Sequence, residues 1–268
     1  MNKRRVAILV SFMIVVASIT AVYFMFFSPG HEPIIINSNS DFEAQGWAGN
    51  GTEASPYLIE NLVIRTTEMC ISIQNTNAFF IIRNCILTCM PYTIAGGGIY
   101  LSEVSNGLIE GCTVSNKNLG IGIQSCDHCV VSDCILSNGK NGGCWISDSS
   151  YCVIVDCTIQ DIGQPSSYGF SCILQNSEVC SILNCTISRG GIDGVSLLNS
   201  LDCSVRYCTI TNNGENGVHV DDCTNCAITY NIISFNVGDG IQIETSSSIT
   251  TDGNEFESNG GDDINIVS

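Results

Sequence analysis

The chain has 268 residues, 26 acidic and 9 basic, and a formal charge of −17. Lys3, Arg4 and Arg5 account for three of the basic groups, so everything beyond residue 27 carries 6 basic against 26 acidic side chains, a net −20. A surface of that sign repels phosphate backbones, which argues against a nucleic-acid partner, and it disfavours polyanionic glycans unless divalent cations screen them.

Val6 to Phe27 is an unbroken uncharged run behind that basic flank. As a helix it would span about 30 Å, enough to cross a bilayer. It ends in Tyr23-Phe24-Met25-Phe26-Phe27 with no small-residue cleavage pattern. Residues 1–27 are therefore predicted to be an uncleaved signal anchor and transmembrane helix, with a cleaved signal peptide as the alternative. Either reading makes the remainder extracytoplasmic, and the first places it on the cell surface. Residues 28–60 read as a linker and N-terminal cap, and residues 61–268 as the main domain.

A repeat organises that domain. Cys85, Cys112, Cys134, Cys157, Cys185 and Cys208 recur at a nearly constant interval, lengthened between Cys85 and Cys112 and between Cys157 and Cys185. Asn231 and then Asn254 continue the series at the same step. A second column, Cys129, Cys152, Cys180, Cys203 and Cys226, runs just ahead of the corresponding corners and keeps their phase. A third marker is Gly followed by alternating apolar residues, as in Gly98-Ile99-Tyr100-Leu101 and Gly217-Val218-His219-Val220. Apolar positions three before and two after each corner cysteine both look inward, yet they are an odd number apart, so a bend must separate them. The residue before each corner (Asn84, Gly111, Asp133, Asp156, Asn184, Tyr207, Tyr230, Gly253) is mostly of a type that tolerates left-handed backbone. Units this short bury nothing alone and must stack. The predicted fold is all-β: a single-stranded right-handed parallel β-helix, a solenoid of about nine coils and roughly 43 Å long at the usual strand spacing.

The corner motif Asn184-Cys185-Thr186-Ile187 and the Gly-I-x-I strands resemble the repeats of pectin-lyase-like parallel β-helix proteins, including the NosD-type family. The stretch Phe42–Thr52, with Pro56–Asn61, looks like the N-terminal part of archaeal surface β-helix proteins. The resemblance covers roughly residues 34–268 and implies a fold that hosts lyases, hydrolases, epimerases and inert stalks alike.

Seventeen cysteines outside a membrane would suggest disulfides. In-register coils, however, hold parallel Cβ atoms about 4.8 Å apart, wider than the roughly 3.8 Å of a disulfide. A reduced, buried thiol ladder is the expected state. Cys126-Asp127-His128-Cys129 and Cys223-Thr224-Asn225-Cys226 have zinc-ligand spacing, but the phase sets them four coils apart, so no metal site and no cofactor is assigned.

Outward positions of the Gly-I-x-I strands are the candidate ligand face. One column is read as Tyr100, Gly122, Trp145, Ser171, Ser196, His219 and Gln242; its neighbour includes Ser102, Gln124, Ser147, Leu198, Asp221 and Glu244. Tyr100 and Trp145 can stack on sugar rings, and His219 with Asp221 is a candidate acid/base pair. Two long coils insert residues at Met90–Gly97 and Ile162–Tyr168, bringing Tyr92 and Tyr168 to the border of the same groove. The Lys or Arg expected in a lyase and the Gly-His-Gly expected in a polygalacturonase-like hydrolase are missing from these columns. Asn50-Gly51-Thr52 is a credible glycosylation sequon. Strand-like Ile264–Val267 leaves an edge at which end-to-end self-association is possible. The expected role is a non-catalytic module that binds extracellular polysaccharide or protein, or a rigid stalk; a polysaccharide lyase or hydrolase is the alternative.

Overall fold

The computed structural model describes residues 30–89, 95–163 and 169–267. The chain winds as a right-handed parallel β-solenoid of about nine coils. Its strands form three parallel sheets: one of ten strands from Ile34–Ile36 to Ile264–Val267, one of eight from Tyr57–Glu60 to Ala227–Thr229, and one of nine from Val63–Arg65 to Glu255–Glu257. A narrower fourth side is a ladder of single bridges through Ser105, Asp127, Ser150, Glu178, Leu201, Thr224 and Ser247. The segment 28–60 contributes strands to the solenoid as well as its cap: Ile34–Ile36 pairs with Ile71–Ile73, and Tyr57–Glu60 with Phe80–Arg83. Between them the helix Asn39–Ala44 buries Phe42, which stacks on Tyr57 at 4.5 Å and on Phe80 at 5.6 Å and covers the first coil. The transmembrane helix expected over Val6–Phe27 lies outside the described residues. Among the described residues, no helix is long and apolar enough to cross a membrane.

The inward residues inferred from the repeat form the core. Ile82, Ile109, Val131, Ile154, Ile182, Val205 and Ile228 line one wall, and Leu87, Val114, Leu136, Ile159, Ile187, Ile210 and Ile233 another, all buried. The bend residues between them all have positive φ, between 51° at Asn184 and 71° at Gly253. A single tight bend per coil was expected; from Glu103 onward the structure has four. In one coil Asn199, Asp202, Tyr207 and Asn212 are left-handed, with φ of 46°, 54°, 58° and 58°. Each is followed by a small buried residue: Ser200, Cys203, Cys208 and Asn213.

Three of these residues, Ser200, Cys208 and Asn213, solve a hydrogen-bonding problem. Where the backbone turns, the next N–H leaves the strand ladder inside the protein, and an unpaired buried donor is costly. A side-chain atom of the equivalent residue one coil on accepts it. Ser177 N donates to Ser200 Oγ at 3.2 Å, Cys185 N to Cys208 Sγ at 3.4 Å, Cys208 N to Asn231 Oδ1 at 2.9 Å and Gly190 N to Asn213 Oδ1 at 2.9 Å. The slot thus requires a short side chain with an acceptor, which is why Cys, Ser and Asn replace one another along a column. All seventeen cysteines are buried and none is in a disulfide.

The glycine of the Gly-I-x-I strands has a packing cause. A Cβ at Gly194 would stand 2.4 Å from Ile210 Cγ2, and one at Gly217 would stand 2.3 Å from Ile233 Cγ2. Ser171 occupies that inward position in its coil and is fully buried, whereas Trp145 pairs with Ile173. Ser171 therefore leaves the outward column to which it was assigned, because the long coil shifts the phase by two residues.

Asn231→Leu removes the acceptor for the Cys208 N–H and should cost about 2 kcal/mol, whereas Asn231→Cys, the residue used in earlier coils, should cost less; urea denaturation compares them. The thiols of Cys129, Cys152 and Cys180 are each pushed up to about 12, chiefly by the hydrogen bond with a neighbouring thiol (Cys126, Cys129 and Cys152 respectively), with burial adding to it. Unfolded thiols ionise from about 9 while these stay protonated, so their contribution is complete below pH 9 and is lost as pH rises towards 12. Thermal melts in reductant should fall across that window, and less steeply in a Cys129→Ser/Cys152→Ser/Cys180→Ser variant.

Candidate functional site

The outward face of the ten-stranded sheet carries two in-register columns. One runs Ser72, Tyr100, Gly122, Trp145, Ile173, Ser196, His219, Gln242 and Asn265. The other runs Gln74, Ser102, Gln124, Ser147, Gln175, Leu198, Asp221, Glu244 and Val267. Neither contains Lys or Arg. Strand spacing sets Trp145 and His219, three coils apart, about 14 Å from each other. Tyr100 lies two strands from Trp145 on the other side, and its hydroxyl is engaged by Gln124 Oε1.

Trp145 borders a cleft of about 400 Å³ lined by Asn118, Leu119, Asn141, Gly142, Cys144, Phe170, Ile173 and Gln175. Apolar side chains and three amides make its walls, and among the described residues no charged group lines it. Gly142 lies between Leu119 and Phe170 in the same cross-strand row, so a residue without a side chain separates two bulky ones. Two buried polar atoms of the lining, Trp145 Nε1 and Asn118 Oδ1, have no hydrogen-bond partner among the described residues. Each unmet group costs about 1–3 kcal/mol relative to a paired one.

The second feature is centred on His219. Its expected partner, Asp221, lies two residues along the same strand, in the adjacent column; the partner the structure supplies is Asp193, whose Oδ2 is 3.5 Å from His219 Nδ1. Asp193 is 4% exposed at its side chain and is fixed from three sides. Ser196 Oγ donates to its Oδ2 at 3.3 Å, and Asn216 donates to its Oδ1 through the backbone N at 3.0 Å and Nδ2 at 3.1 Å. Asn216 Nδ2 also donates to Gln242 Oε1 at 2.7 Å, and Gln242 Nε2 to Glu244 Oε1 at 2.7 Å. The Asp193 hydrogen bond raises the His219 pKa above 6.5; the charges of Asp193, Glu244 and Asp221 add to this, and burial opposes it. His219 Nε2 is buried without a partner among the described residues. Sequence reasoning missed Asp193. The signal was present in the Asx column Asp193, Asn216, Asp239 and Asp262, which recurs once per coil at the step of the corner series.

The family model for the right-handed beta helix region matches residues 34–183 and 167–268. The chain belongs to the right-handed β-helix family. No curated protein matches it. Among solved structures it is similar to the periplasmic alginate epimerase AlgG (TM-score 0.54, 14% identity, 73% of this chain and 60% of that one). It is similar also to pectate lyase Pel9A (TM-score 0.55, 14% identity, 88% and 67%) and to the enzymatically active domain of bacteriophage CBA120 tailspike protein 2 (TM-score 0.63, 10% identity, 81% and 40%). At these identities the likeness is one of fold. This chain spans 60% of the epimerase and 40% of the tailspike domain.

The other positions singled out in this β-helix are quickly placed. Tyr92 and Tyr168 lie outside the described residues. Asn50 is exposed, and its Oδ1 accepts from Thr52 Oγ1 at 2.7 Å. Cys126 sits in the column that continues through Ser149, Ser177, Ser200 and Cys223, so the two Cys-x2-Cys motifs are four coils apart. Among the described residues no cluster of His, Cys, Asp and Glu is arranged to hold a metal ion. NMR titration of His219 should give a midpoint above 6.5 that moves down in Asp193→Asn; a midpoint insensitive to that substitution would contradict the assigned pair.

Proposed function

We propose that this β-helix is a non-catalytic binding module for a neutral polysaccharide, with the Trp145 cleft as its main contact. The observation that carries the reading is an indole in a charge-free cleft of amides and apolar side chains, on a sheet face without Lys or Arg. An aromatic ring offers a flat apolar surface to a sugar ring, and amides suit its hydroxyls. The fold neighbours named above include enzymes of alginate and pectate. Here the net charge of −20 beyond residue 27 favours an uncharged polymer over those uronates. The run Val6–Phe27 supports a tethered, extracytoplasmic module, which recovery of the full chain in alkali-washed membranes would check.

Affinity electrophoresis across neutral and acidic polysaccharides tests the reading. Retention by at least one neutral polymer is expected, weakened about tenfold or more by Trp145→Ala with no change in melting temperature. Equal retention of the variant would sink it.

The His219–Asp193 pair favours a second reading, catalysis on a polysaccharide, since a histidine whose pKa is raised by a buried carboxylate is a candidate acid/base group. No release of reducing ends or unsaturated product is expected from the same panel. Release abolished by His219→Ala would move the assignment to an enzyme.

A further inference from the structure

Which sugar the cleft takes is a further question, and its answer rests on the polysaccharide-binding reading above. Two lining groups are chemically specific. Trp145 Nε1 can only donate, Asn118 Oδ1 can only accept, and both are buried without partners among the described residues. A ligand that supplies one acceptor and one donor relieves both. Of the rest of the lining, the amides of Asn141 and Gln175 can pair with hydroxyls, whereas the apolar wall of Leu119, Phe170 and Ile173 offers them nothing. Gly142 keeps the space beside Leu119 open, since a Cβ there would stand 2.9 Å from Leu119 Cδ1. A sugar bearing only hydroxyls satisfies the two polar atoms but sets further hydroxyls against that apolar wall, where they lose water without gaining partners.

We propose that the cleft recognises an N-acetylated sugar. The acetamido carbonyl accepts from the Trp145 indole N–H, the methyl packs on the Leu119, Phe170 and Ile173 wall, and Asn118 Oδ1 accepts an N–H or O–H of the same sugar unit. Among the described residues no carboxylate lines the cleft, so a free amino sugar finds no counter-charge there.

Calorimetry on the full chain with three gluco-configured trisaccharides tests this: tri-N-acetylchitotriose, cellotriose and the deacetylated glucosamine trimer, with the galacto series in parallel. The acetylated member of one series should bind about tenfold or more tighter than its hydroxyl parent. Trp145→Phe, which retains a ring and deletes the N–H, should weaken the acetylated trimer several-fold more than its hydroxyl parent and so remove most of that preference. Equal binding of parent and acetylated forms overturns the inference and leaves the polysaccharide reading standing. Tightest binding by the free amine overturns it too, in favour of attraction to the acidic surface. Loss of Trp145-dependent retention across the whole polysaccharide panel removes both.

Discussion

From Glu103 onward each coil turns through left-handed residues at four places, and at many of these turns a buried backbone N–H is handed to a side chain one coil on. That interaction sets what the interior can be made of. It needs an acceptor on a short stem, so Cys, Ser and Asn fill the corners while Ile, Val and Leu fill the flat walls. A thiol is a weak acceptor, but it is also a small apolar body, and it satisfies both demands at once. The amide version does more: Asn231 takes the Cys208 N–H through its Oδ1 and donates Nδ2 to Val205 O at 3.0 Å and to Asn254 Oδ1 at 3.0 Å.

The outward face inherits its precision from those corners. A one-residue slip would turn every inward side chain outward, and the corner hydrogen bonds forbid it. His219 shows how closely structure and site are joined. Its partner Asp193 belongs to a separate Asx ladder of reversed direction, in which Asp193 Oδ1 accepts the N–H of Asn216 one coil on and Asn216 Oδ1 accepts that of Asp239. A carboxylate placed for structural reasons thereby becomes the group that raises the pKa of the histidine.

Charge separates the two features on this face. The His219 region is surrounded by Asp193, Asp221 and Glu244, whereas the Trp145 cleft has no charged lining. An acidic exterior repels anionic polymers at long range, and the described lining of the cleft offers them no cation at contact. The likeness of fold to alginate and pectate enzymes is not accompanied by Lys or Arg on this face: the two outward columns hold neither, and His219 is their only basic side chain.

Covalent sequence alone was enough for the coil number, the inward walls and the bend before Cys85, Cys112 and their successors, because a solenoid repeats the same local problem in every coil. It also marked Trp145 and His219 as outward. It could not reveal the three additional left-handed corners, since Asn, Asp and Tyr at such places look like ordinary polar or exposed residues until the N–H they release is seen to find its acceptor. Nor could it phase Ser171 across the long coil, or choose Asp193 over Asp221 as partner of His219. Those outcomes depend on which atoms of neighbouring coils meet, and stacking decides that: residues a full coil apart in the chain come within hydrogen-bonding distance, as Asp193 and His219 do, while His219 and Asp221 on one strand do not.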